Sequence, residues 1–111
     1  MKLLAMLQSC TRRLGWDIVP YNAEQHAQLR RYRLLLHHDI DLVLDVGANI
    51  GQFGRELRRA GYRGRIVSFE PLADAFAALQ ATASQDSNWQ TVQLALGSTP
   101  GVSPMHRAAN V

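Results

Sequence analysis

Cysteine is all but absent: Cys10 stands alone in 111 residues. That excludes an internal disulfide framework and leaves no second thiolate for a zinc site, so a reducing, cytoplasmic setting is expected and no metal site is. Long apolar runs are missing as well, and no stretch approaches the roughly 20 apolar residues of a membrane span. The opening Met1–Cys10 faintly imitates a lipoprotein signal. Its apolar core of about five residues is too short, and Arg12-Arg13 follow at once, so no signal is expected. Aromatic residues make up only 7% of the chain, too few among the arginines for a base-stacking platform, so nucleic acid is not an expected partner. Low-complexity tracts and internal repeats are also lacking.

The remaining composition, 47% hydrophobic and 19% charged, is that of one modest globular domain. The net charge of +3 comes mainly from arginines on the polar faces of candidate helices or in turns, which reads as solvated helix surface.

Leu3, Leu4, Leu7, Cys10 and Leu14 recur at three- and four-residue spacing, predicting a short amphipathic helix that runs into Gly15 and packs on something. Pro20-Tyr21-Asn22 interrupts the chain, and Asn22 with Gln25 resembles a capping box for a second helix to about His38, with Leu29, Tyr32 and Leu36 on one stripe and Leu35 beside it. Residues 1–38 thus form an N-terminal helical extension.

From Asp39 the pattern becomes strand, turn, helix, repeated. Leu42–Val46 is an apolar run broken only by Asp45, as suits a strand covered on both faces. A helix over about Ile50–Ala60 ends at Gly61; Ile66–Phe69 is a second strand; Pro71 opens a helix to about Ala83; Val92–Leu96 is a third strand. Alternating strands and helices imply right-handed crossovers and an α/β, doubly wound parallel sheet. Three strands make one mononucleotide-binding half, with the first strand's edge left unpaired. Residues 39–111 are therefore expected to be the N-terminal half of such a domain, completed by a missing C-terminal half or by a homo-oligomeric partner, or else degenerate.

Chemistry concentrates at Asp45-Val46-Gly47-Ala48-Asn49-Ile50-Gly51, answered by Glu70 at the next strand end. A Gly-rich turn between strand and helix directs backbone N–H groups at a ligand, and an acid at the following strand end can grip a ribose. Gly47 and Gly51 allow a tight turn and close approach, while Asn49 tolerates the left-handed conformation. The dinucleotide fingerprint is incomplete, because Asn49 and Gln52 stand where its second and third glycines belong. Asp45 would also repel a pyrophosphate. A cationic sulfonium ligand without phosphate fits better, favouring S-adenosylmethionine over NAD.

These residues resemble the FkbM-type S-adenosylmethionine-dependent methyltransferases of the class I, Rossmann-like fold. The resemblance runs from about Leu14 to the C-terminus and is carried by Asp45 to Phe53, by Phe69-Glu70-Pro71, by Ala95-Leu96-Gly97, and by the lead-in Leu14–Val19. It implies a cofactor site of Asp45, Gly47, Ala48, Asn49, Gly51, Gln52 and Phe53 for the methionine part, Glu70 and Pro71 at the ribose, and Ala95 and Leu96 near the adenine. It also implies a small-molecule acceptor, a sugar or polyketide hydroxyl undergoing O-methylation, whose site lies in later strands. No catalytic base stands out: His26, His37, His38 and His106 qualify by chemistry alone, and His37-His38 reads as a favourable charge pair at a helix C-terminus. A non-catalytic nucleotide- or adenosyl-binding module, an NAD-binding domain and a basic interaction domain are the alternative readings.

Overall fold

The computed structural model describes residues 2–107; Met1 and residues 108–111, assigned above to the outer ends of the two regions, lie outside the described residues. The elements run α1 (Lys2–Arg13), α2 (Ala23–His37), β1 (Leu42–Val46), α3 (Gln52–Ala60), β2 (Arg65–Phe69), α4 (Ala73–Ala83) and β3 (Trp89–Val92). The strands form one parallel sheet in the order β1-β2-β3. This is an α/β unit compatible with part of a Rossmann-like sheet.

Right-handed crossovers between strands laid down in sequential order carry both connecting helices to the same face. That face holds the core: Ile66 and Ser68 of β2 and Trp89 of β3 are buried there beneath Leu57 of α3 and Leu79 and Ala83 of α4. Close approach is possible because Gly54 of α3 lies directly under the Trp89 indole, where even a Cβ would collide with the ring. The other face of the same strands carries no helix among the described residues. Leu44 and Val46 of β1 are both 58% exposed, and the outer edge of β1 pairs with no strand among the described residues.

Three expectations are corrected. β3 is Trp89–Val92, not Val92–Leu96, because its register starts where Trp89 aligns with Ile66 and its indole Nε1 donates to Ser68 Oγ at 2.9 Å. α4 begins at Ala73, not Pro71, since the Leu72 N–H is taken by the Glu70 side chain and Leu72 itself caps the helix. The inward stripe of α2 is Tyr32 and Leu35, which pack against the core, while Leu29 and Leu36 remain exposed. Asn22 does cap α2, its side chain accepting from the Glu24 and Gln25 N–H groups at 3.0 and 3.1 Å.

The expected packing of α1 is also absent: none of its residues is buried. α2, by contrast, is tied to α3, with the Arg31 guanidinium 5.0 Å above the Phe53 ring and 3.6 Å from Glu56. At the N-terminal end of the sheet, Arg58 donates to Asp86 and to the carbonyls of Tyr62, Gly64 and Asn88, joining α3 to the turns before β2 and β3.

Candidate functional site

At the opposite, C-terminal end of the strands, the turns after β1 and β2 are locked together. The N–H groups of Gly47 and Ala48 both donate to the Phe69 carbonyl at 2.9 Å, and the Asn49 N–H donates to Glu70 Oε2 at 2.8 Å. Glu70 Oε1 accepts from the Leu72 N–H at 2.9 Å, so one carboxylate closes both turns. Glu70 is accordingly buried, at 6% exposure. A carboxylate has about four acceptor positions, so two remain for further donors.

This overturns part of the sequence reading. Four N–H groups of the turn are not presented to a ligand: Gly47 and Ala48 spend theirs on the Phe69 carbonyl, Asn49 on the Glu70 side chain, and Gly51 on the Ala48 carbonyl. An anion cradle of the phosphate-binding kind requires those groups to be free. The two glycines also differ in role. Gly47, at φ +74°, has open space where a Cβ would stand, so a ligand can approach it closely. Gly51, at φ +94°, is buried and its missing Cβ makes room for Thr82 and Leu79 of α4, so it serves the fold. Asn49 adopts the left-handed conformation expected of it, at φ +51°.

Asp45 lies at the end of β1 on the covered face. It accepts from the Ser68 hydroxyl at 3.1 Å, and Ser68 accepts from Trp89, giving a polar relay across all three strands. Burial pushes the Asp45 carboxyl above its ordinary value, with the Ser68 hydrogen bond offsetting part of the effect.

The other expected residues divide. Ala48 is buried in the core, and Gln52 is exposed at the first position of α3. Phe53 is turned toward the core and α2, not toward the turn, because the helical spacing that buries Leu57 carries it to that side. Pro71 is half-buried beside Glu70. Ala95 and Leu96 lie beyond β3 in an exposed segment and line a separate hollow of about 370 Å³ formed with Gly97, Thr99 and Pro100. The structure therefore gathers Asp45, Gly47, Asn49 and Glu70 at one strand end and leaves Phe53, Ala95 and Leu96 apart from them.

His26, His37 and His38 do not join the group, and His106 is exposed in the segment after β3. His37 and His38 sit at the end of α2, just before the start of β1 and so at the far end of the sheet, while His26 stacks on Tyr21 with ring centroids 4.7 Å apart. Sequence reasoning missed Gly54, Ser68, Thr82 and Trp89: Thr82 Oγ1 donates to the Ile50 carbonyl of the turn at 2.9 Å, Ser68 donates to Asp45, and Trp89 packs on Gly54 and donates to Ser68. Gly54 carried a readable signal. Glycine inside a helix costs about 1 kcal/mol relative to alanine, so its presence there marks a close approach.

The chain matches no protein-family model, and no curated protein gives a significant match.

Proposed function

We propose that the C-terminal end of the sheet binds S-adenosylmethionine and that the chain is the cofactor-holding part of a methyltransferase acting on a sugar or polyketide hydroxyl. One observation carries the reading: Asp45 and Glu70 stand beside an open Gly47 at neighbouring strand ends, while the N–H groups of Gly47, Ala48 and Asn49 are already taken by Phe69 and Glu70. Parallel α/β sheets bind ligands outside the carboxyl ends of their strands, beside the point where strand order reverses. In a doubly wound sheet that point adjoins the free edge of β1. The residual acceptor capacity of Glu70 suits two ribose hydroxyls, each such bond being worth about 1.5–3 kcal/mol. Asp45 suits the methionine ammonium. The bound cofactor would supply an electrophilic methyl to the acceptor oxygen, whose proton passes to a base outside this constellation.

Thermal shift and calorimetry with S-adenosylmethionine, NAD and a short DNA test the proposal. S-adenosylmethionine is expected to raise the melting temperature, and stabilisation by NAD alone would overturn the assignment. Because Glu70 also closes the two turns, Glu70→Gln is the informative variant. It should weaken cofactor binding by at least about tenfold, equivalent to about 1.4 kcal/mol, while the protein remains folded by circular dichroism. Unchanged affinity would remove Glu70 from the site.

A further inference from the structure

Helix α1 buries none of its residues against the rest of the described molecule, yet it is strongly two-sided. At helical spacing Leu3, Leu4, Met6 and Leu7 share one side, and all are exposed, Leu3 at 70% and Met6 at 66%. Lys2, Arg12 and Arg13 lie on the remaining surface, Arg13 at the border of the apolar side. The first turn has no acidic residue, and the helix as a whole contains none.

The segment that follows is exposed as well and stays against the helix. Leu14 and Trp16 are 77% and 72% exposed. Their chain is folded back on the helix by the Trp16 N–H donating to the Thr11 carbonyl at 2.9 Å and by Gln8 Nε2 donating to the Ile18 carbonyl at 2.8 Å. Asp17 is held by Arg12 at 3.0 Å, which leaves Lys2 and Arg13 uncompensated by any described ion pair.

Charge distribution identifies the complement. Residues 1–38 hold six of the twelve basic residues but only two of the nine acidic ones, so the excess positive charge of the chain belongs entirely to this region. A short helix with aliphatic residues on one side, cations on the other and an adjoining exposed tryptophan has the chemistry of a segment that lies in a lipid–water interface. A nucleic acid would use the cations and have no use for Leu3, Met6 and Leu7. We infer that α1 and the Leu14–Trp16 segment dock on an anionic lipid surface, with the helix parallel to it, the leucines and Trp16 inserted, and Lys2, Arg12 and Arg13 at headgroup level. The inference is independent of the cofactor assignment.

Vesicle co-sedimentation of the whole chain, with phosphatidylcholine alone and with added phosphatidylserine, provides the test. The unaltered chain should pellet with phosphatidylserine vesicles, and its tryptophan emission should shift to the blue through Trp16, since Trp89 is already buried. Leu3→Glu with Leu7→Glu should lower the partition coefficient at least about tenfold. Arg12→Ser with Arg13→Ser should do likewise on the anionic vesicles only, with the difference vanishing at high salt. Both pairs spare the fold because α1 buries nothing, and the near-ultraviolet dichroism of Trp89 checks this. Failure of the unaltered chain to pellet, or equal pelleting of the leucine variant, would overturn the inference. Binding to duplex DNA in preference to vesicles would overturn it too, as would an α1-dependent dimer that ignores lipid.

Discussion

The two faces of the sheet are made by alternate residues of the same three strands, yet they have opposite fates. On one, Ile66 and Ser68 are at most 1% exposed beneath α3 and α4; on the other, Leu44 and Val46 are each 58% exposed. Composition does not explain the difference, since the covered face carries Asp45, Ser68 and Thr91 beside its apolar residues while the open one exposes Leu44 and Val46. Topology does, because sequential right-handed crossovers deliver both connecting helices, α3 and α4, to one side. An exposed face beside an edge that pairs with no strand among the described residues is compatible with part of a Rossmann-like sheet. The site sits at the C-terminal end of that same β1, where the covered face meets the open one.

That contrast can be broken at its centre. Trp89→Ala removes the ring that fills the space above Gly54 and strips Ser68 of its donor, so it should cost about 3–5 kcal/mol and leave the chain largely unfolded. Urea titration showing a loss below about 1 kcal/mol would mean that the covered face is not the core.

Next in size comes the ionic tie at the N-terminal end of the sheet. The hydrogen bond from Arg58 holds the Asp86 carboxyl below its ordinary value despite partial burial. The folded form therefore releases that proton more readily than the unfolded chain. The stability it contributes is present above the unfolded value near 3.8 and is lost as pH falls through the lower folded value. Asp86→Asn should cost about 1–2 kcal/mol at neutral pH and flatten the acid limb of the stability profile, as followed by thermal melts across pH.

Asp45 has the opposite sign. Its raised value means that the folded state holds the proton more tightly, so its contribution is greatest below 3.8 and falls as pH rises through the folded value. Asp45→Asn keeps an acceptor for Ser68 and removes the penalised charge. It should leave neutral-pH stability equal or slightly higher while weakening S-adenosylmethionine about tenfold, and a marked loss of melting temperature would show that the ionised form supports the fold. The smallest effect is expected on the open face, where Leu44→Thr should change stability by less than about 0.5 kcal/mol. A larger loss, with a change in sedimentation coefficient, would reveal a layer bound there.

The strands β1 and β2 were legible because their apolar runs are bounded by turn residues, and Gly61 marked the end of α3 as expected. β3 was not, because Val92-Gln93-Leu94-Ala95-Leu96 alternates more convincingly than Trp89-Gln90-Thr91-Val92. What selects the latter is a tertiary contact, the Trp89 indole on Ser68 and Gly54, which no local pattern contains. The site was legible in kind, an acid and a glycine turn at neighbouring strand ends. Which atoms face a ligand was not, since that depends on where the N–H groups of Gly47, Ala48 and Asn49 are spent.

The Glu70 carboxylate leaves an imprint readable without any ligand. Asn49 and Leu72 are separated by 22 residues other than themselves in two surface turns, where amides ordinarily exchange with solvent within the dead time of a measurement. Both are pinned to the same side chain, so their deuterium uptake should be slow and should accelerate together in Glu70→Ala. Two distant amides with one shared exchange rate would report that a single carboxylate holds both turns in place.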